Sequence, residues 1–163
     1  MQANQRKFSK LYDAYVESIY RFIYIKVSSQ EVAQDLTSEV FLKVWKSYQK
    51  QSLKNPRAFI YTTARHTIID YYRTHKSTIS LETTTIEIED NSQDIAKSEE
   101  ISSDMAVVQE KLKNLKEDYQ NIIILRYVDD LSISEISTIL EKSKGATRTL
   151  LSRALTELRK QLV

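Results

Sequence analysis

The sequence predicts an all-α protein of two small helical domains joined by an acidic flexible linker, and three observations carry that expectation. The chain has one glycine and one proline in 163 residues, too few for a turn-rich β-architecture. Apolar residues recur at three- and four-residue spacing on both sides of a polar middle, the period of a helix buried on one face. Charge is also segregated. Residues 1–77 hold 13 Lys and Arg against 6 Asp and Glu, residues 78–104 hold 1 against 8, and residues 105–163 hold 10 against 8. The middle stretch, TISLETTTIEIEDNSQDIAKSEEISSD, is rich in Ser and Thr and lacks a helical apolar stripe, which is how a linker reads. The expected domains are therefore 1–77 and 105–163, with 78–104 as the tether.

In the first domain Phe8, Leu11, Tyr12, Tyr15, Ile19, Phe22 and Ile23 place an apolar, aromatic face on one long helix, best explained as core. Ser28 and Glu31 have the spacing of a capping box. After them Val32, Leu36, Val40, Val44 and Tyr48 recur every four residues, so a second helix packs on the first. Its opposite face carries Gln34, Asp35, Ser38, Glu39, Lys43 and Lys46, ordinarily a solvated face. The polar stretch QKQSLK follows, and Asn55-Pro56 then marks a third helix, with Asn as cap and Pro at the first helical position. That helix mixes Arg57, Tyr61, Arg65, Tyr71, Tyr72, Arg73 and Lys76. Arginines among aromatics supply phosphate-binding cations and stacking surfaces for single-stranded nucleic acid. The alternative is that Phe59, Ala64, Ile68 and Tyr72 are core while the cations solvate the outside.

In the second domain Tyr119, Ile122, Ile123, Leu125 and Arg126 run up to Val128, and Asp129-Asp130 breaks the helix, since Asp tolerates left-handed geometry. Ser132 and Glu135 form a second capping box before a short helix burying Ile133, Ile136, Ile139 and Leu140. The last helix buries Leu151, Ala154, Leu155, Leu158 and Leu162. Ala146, Thr149 and Arg153 lie opposite that stripe, with Arg148 and Ser152 on a flank. A short helix, a tight turn and a longer helix with a small, hydroxylic and cationic front make a helix-turn-helix, whose second helix enters the major groove N-terminus first. Gly145 at that front would let the backbone approach phosphate. An ordinary helical hairpin remains the alternative.

Other classes lack support. Without cysteine there is no disulfide and no thiolate metal site, and a reducing compartment is the natural home. No apolar run approaches the roughly 20 residues of a membrane span, and MQANQRKFSK has no signal-peptide apolar region, so the expected location is cytoplasmic, without membrane insertion. His66 and His75 have no carboxylate at ligand spacing. With no Gly-rich phosphate loop or supported nucleophile either, no catalytic residue, metal or cofactor is expected, and an enzyme has no positive evidence.

DLTSEVFLKVWKSY, NPRAFIYTTARHTIIDYYRTHK, YQNIIILRYVDDLSISEISTIL and SKGATRTLLSRALTELRK, in that order, resemble bacterial sigma factors of the extracytoplasmic function group, the minimal members of the sigma-70 family. The resemblance implies a sigma region 2 helical bundle followed by a region 4 helix-turn-helix. It implies that the helix from Asp35 to Tyr48 docks on the β′ clamp helices of core RNA polymerase, with Asp35, Leu36, Glu39 and Lys43 in contact. Tyr48, Gln49, Lys50, Gln51 and Ser52 would belong to the loop that captures a flipped −10 base, and Arg57, Tyr61, Arg65, His66 and Arg73 would track the melted strand. Ser143, Lys144, Gly145, Ala146, Arg148, Thr149, Ser152 and Arg153 would read the −35 element. The implied partners are core polymerase, through the clamp helices and the β flap, and promoter DNA; an anti-sigma factor is common in the family. His66 stands where the family often has Asn, Glu141 in place of a common Gly, Lys142 in place of an apolar residue, Thr147 in place of Val and Leu150 in place of a usual Arg. The competing reading is a helix-turn-helix regulator that binds DNA without docking on polymerase. A helical protein-interaction adaptor would not need the basic excess of the first domain.

Overall fold

The computed structural model describes residues 2–79 and 103–162, and every regular element among them is a helix. The chain divides into two compact units, 1–101 and 102–163. The linker assigned to 78–104 falls mostly outside the described residues. At its edges the third helix continues to Ile79 and the next opens at Ser103, so the helical segments are longer than the charge pattern suggests.

The first unit is a three-helix bundle of α1 (Gln2–Val27), α2 (Gln30–Lys50) and α3 (Pro56–Ile79), each packed on the other two. Its core takes Ile19, Phe22, Ile23 and Tyr24 from α1, Ala33, Leu36, Val40 and Val44 from α2, and Ala58, Ile60, Tyr61, Ala64 and Ile68 from α3. Burying each large side chain stabilises the bundle by roughly 1.5–3 kcal/mol. The apolar face of α1 does not all enter this core. Along the N-terminal half of α1, Phe8, Leu11 and Tyr15 are half-buried and Tyr12 is exposed. There Phe8 stacks against Trp45 at 5.0 Å between ring centroids, and Tyr12 meets Phe41 edge to face at 4.9 Å.

The α1–α2 joint differs from the capping box expected at Ser28. Ser28 itself takes a left-handed conformation, φ 56°, and its N–H closes α1 on the Tyr24 carbonyl at 2.8 Å. The cap therefore moves to Ser29, whose Oγ accepts from the Val32 N–H at 3.3 Å. With Ser29 as cap, Glu31 is no longer three residues on, and no box forms. At the start of α3, Asn55 Oδ1 accepts from the Ala58 N–H at 3.1 Å, as the Asn-Pro pair predicts.

The second unit comprises α4 (Ser103–Leu112), α5 (Glu117–Ile123) with a π-helical turn over Ile124–Val128, α6 (Ile133–Leu140) and α7 (Lys144–Leu162). Ile122 before the π turn, Ile124 and Leu125 within it and Leu131 after it are all fully buried. The turn ends where Asp130 takes φ 56°, the left-handed break expected of the Asp pair. Arg126 Nη1 then donates to the Leu131 carbonyl at 2.9 Å, fastening the reversal. Both bonds of the Ser132–Glu135 capping box are present, at 3.1 Å each.

Candidate nucleic-acid and partner interfaces

Helical periodicity puts Asp35 and Glu39 on the face of α2 away from the Leu36, Val40 and Val44 stripe, and both are exposed. Two other residues assigned to that face are engaged within the unit, Leu36 wholly and Lys43 in part, its side chain staying 43% exposed. Leu36 is 7% exposed and belongs to the core stripe, so it supports the face without presenting itself. Lys43 is turned to α3: its Nζ lies 3.3 Å from Glu39 Oε1 and donates to Thr67 Oγ1 at 3.2 Å. The residue missed on this surface is Leu42, 53% exposed, one turn beyond Ser38. Leu42 borders an open apolar groove of about 510 Å³ between α1 and α2, lined by Phe8, Tyr12, Phe41 and Trp45 with Gln5 and Ser38 at its rim. Its signal lay in the i, i+4 aromatic pairs of both helices, which could equally have closed into a core.

The polar connection to α3 is shorter than QKQSLK. Tyr48, Gln49 and Lys50 are the last turn of α2, and Gln51 ends it in an extended conformation with its N–H on the Ser47 carbonyl at 3.1 Å. Gln49, Lys50, Gln51, Ser52 and Lys54 are exposed, Tyr48 and Leu53 half-buried. Four residues, Gln51 to Lys54, thus span two capped helix ends, and a short tether between rigid anchors costs little further entropy when it binds.

On α3 the aromatics and cations separate. Tyr61 is 1% exposed and packs edge to face on Phe22, with ring centroids 5.7 Å apart, so it is a core residue and cannot stack on a strand. Arg57 and Arg65 are half-buried, and His66 and Arg73 are exposed. Arg65 Nε is buried without a hydrogen-bond partner, which leaves part of its guanidinium unsatisfied. Tyr72, a core candidate by its spacing, is 40% exposed, and its hydroxyl donates to the Lys26 carbonyl near the end of α1. Tyr71 stacks on His75 with centroids 4.0 Å apart. The mixed composition of α3 thus resolves into an aromatic core residue at Tyr61 and an outer surface of Arg, His and Tyr.

The tight joint before α7 is made by Glu141, in a left-handed conformation of φ 58° and ψ 45°, and not by the glycine. Its N–H bonds the Thr138 carbonyl at 3.3 Å, and the Lys142 N–H bonds that of Ser137 at 2.9 Å, closing the end of α6 as a left-handed cap does. Ser143 opens α7, its Oγ accepting from the Ala146 N–H at 3.1 Å. Thr147 is fully buried. Its hydroxyl donates to the Ser143 carbonyl at 2.8 Å, so the Thr in place of Val is a satisfied core residue. Leu162, expected in the core, is 55% exposed at the last position of α7.

Gly145 is helical without positive φ, and a Cβ there would meet nothing within 4 Å. The fold does not require glycine at that position, in the first turn of α7. Gly145 therefore opens space on the outer side of α7. Ser143, Lys144, Ala146, Arg148, Thr149, Ser152 and Arg153 are all exposed around it. The Thr149 hydroxyl donates to the Gly145 carbonyl at 3.1 Å, which leaves its oxygen to accept. One helix surface thus offers two guanidiniums, an ammonium and hydroxyls around a helix N-terminus, a combination suited to phosphate and base edges.

Known proteins match both units in the order of the chain. Residues 11–78 match Sigma-70 region 2, and residues 105–158 match Sigma-70, region 4. The ECF RNA polymerase sigma factor BldN of Streptomyces coelicolor is 32% identical over 95% of this chain, which spans 60% of BldN. RNA polymerase sigma factor SigV of Bacillus subtilis is 30% identical over 90% of this chain and 85% of its own length. In fold, the chain is similar to the sigma factor RpoE solved with the anti-sigma factor NepR from Bartonella quintana, with TM-score 0.70 at 18% identity over 96% of this chain and 97% of RpoE.

Proposed function

The chain belongs to the sigma-70 family as an RNA polymerase sigma factor of the extracytoplasmic function group, and from that premise we propose how its residues divide the work. The exposed face of α2, with Asp35 and Glu39, docks on the β′ clamp helices of core polymerase. Leu42 and the adjoining apolar groove extend that surface. The connection from Tyr48 through Ser52 receives a −10 base turned out of the duplex. Unstacking and unpairing that base costs a few kcal/mol. Hydrogen bonds from Gln49, Gln51 and Ser52 offset part of that cost, and the pattern of donors and acceptors selects the base. Arg57, Arg65, His66 and Arg73 hold the backbone of the opened strand, and Tyr61 supports α3 from within. The Lys144 to Arg153 surface of α7 enters the major groove at the −35 element while its unit rests on the β flap.

Residues 78–104, net −7, connect the two activities; a negatively charged tether can occupy a basic nucleic-acid channel of the polymerase without binding DNA. The work is cytoplasmic, at the nucleoid, and non-enzymatic. The RpoE complex supports an anti-sigma factor as a further partner.

The observation that carries this reading is the succession of the two matched regions on two compact units, each with an exposed polar surface where its region needs one. A DNA-binding regulator without polymerase would have no use for the first of those regions. The test is co-elution with core RNA polymerase. The native chain should co-elute, and a chain carrying Asp35→Lys and Glu39→Lys should not, with unchanged circular dichroism. Association that survives the double reversal contradicts the docking face.

A further inference from the structure

The geometry points to Lys43 as a positioning residue that couples the docking face of α2 to the strand-holding helix α3, an inference that rests on the roles proposed above for those helices. Lys43 stands one turn after Glu39, and the two side chains are 43% and 49% exposed, open to an incoming partner. The same Nζ that lies 3.3 Å from Glu39 Oε1 also reaches 3.2 Å across the seam to Thr67 Oγ1. Thr67 is 1% exposed, and its own proton is committed to the Thr63 carbonyl at 2.7 Å. A hydroxyl whose single proton is used can only accept, so the Lys43 ammonium fits it as donor. One ammonium is thereby shared between a carboxylate facing outward and a hydroxyl facing inward.

An exposed ion pair one turn apart adds little to the stability of a helix. The sharing matters for a different reason. When a docking partner pairs with Glu39, the carboxylate is drawn away from Lys43. Thr67, and any acceptor that a nucleic-acid strand brings to that edge of α3, then compete for the ammonium alone. Thr67 directly follows Arg65 and His66, so a change in the α2–α3 seam at Thr67 reaches both. Docking on α2 is felt on α3 before the strand is opened.

The test compares Lys43→Met, Thr67→Val and Lys43→Arg in the full chain, with core RNA polymerase. Three quantities are read: affinity for core polymerase, the rate at which thymines of a duplex −10 element become reactive to permanganate, and initiation from a template whose −10 element is already unpaired. Thr67→Val should keep polymerase affinity within about twofold, and both it and Lys43→Met, which also frees Glu39 and is therefore read at saturating polymerase, should slow duplex opening about tenfold, within the range of couplings between sites. Both should be relieved on the unpaired template, and Lys43→Arg, which keeps the donor and the charge, should restore opening. Equal losses on duplex and unpaired templates, opening at the native rate in both variants, or a fall in melting temperature large enough to account for slow opening would overturn the coupling. Polymerase binding that survives Asp35→Lys with Glu39→Lys would instead overturn the docking face, and the coupling with it.

Discussion

In the C-terminal unit the helix ends around the turn are set by residues close in sequence, whereas in the N-terminal unit what matters most is set by residues far away. Ser132 and Glu135 cap α6 between themselves, Asp130 and Glu141 take the left-handed positions, and Ser143 starts α7 with its own side chain. Each of these needs only a side chain within reach of its own backbone. In the N-terminal unit Tyr61 and Tyr72 stand eleven residues apart on one helix, yet one is buried against Phe22 and the other lies at the surface holding Lys26. What sorts them is the helix opposite. Local chemistry builds the element proposed to read duplex DNA, and packing chooses which aromatics of α3 face outward.

The sharpest way to break that contrast is Tyr61→Ala. If Tyr61 is core, removing it should destabilise the N-terminal unit by about 3–5 kcal/mol in denaturant titration. Arg73→Ala in the same helix, which loses an exposed ion pair to Asp70, should cost less than about 1 kcal/mol. A Tyr61→Ala protein of native stability that has lost −10 recognition would return this tyrosine to the strand.

A smaller effect separates the two guanidiniums of α7. In the proposed docking Arg148, one turn into the helix, would reach a base edge, and Arg153, two turns in, a phosphate. Arg148→Ala should cost about 1–3 kcal/mol in −35 binding and relax specificity, while Arg153→Ala should weaken all sequences alike and flatten the salt dependence. Identical, sequence-independent losses would remove base reading from Arg148.

The caps sharpen the comparison further. Ser132→Ala breaks a reciprocal box and should cost about 1–2 kcal/mol; Ser29→Ala breaks a single 3.3 Å bond and should cost about 0.5–1 kcal/mol, both by thermal unfolding. The smallest change is a gain. Glu141→Gly should stabilise the C-terminal unit by about 0.5–1 kcal/mol, since the left-handed penalty it removes exceeds the added chain entropy of glycine. A loss there would mean that the Glu141 side chain holds the turn more firmly than its backbone strains it.

These same residues explain how far the sequence could be read. The capping box at Ser132, the break at Asp130 and the cap at Asn55 were legible because donor and acceptor are sequence neighbours. The sequence points to Ser28 in place of Ser29 because two adjacent serines offer the same chemistry, and the left-handed turn at the end of α1 decides between them. The exposure of Asp35 and Glu39 followed from helical projection. Lys43 did not, since its partner Thr67 lies on another helix. Helix α4 is hard to read because Val107 is exposed and Val108 half-buried, so the apolar stripe running to Leu112 is too thin to stand out beside an acidic stretch. The π turn had no sequence signal: Ile122 to Leu125 would suit a regular helix equally well.

The central claim is that −10 selection resides in the N-terminal unit and −35 selection in the C-terminal one. Transcription by core polymerase and this chain from a promoter library randomised across both elements tests it most directly, run with the native protein and with residues 49–54 exchanged for the equivalent loop of another sigma factor of the same group. The account predicts that the exchange moves the preferred −10 base to that of the donor while polymerase binding and the −35 profile stay as they were. An unchanged −10 profile from a folded, polymerase-competent chimera, or a −35 profile that moves with the loop, would contradict it.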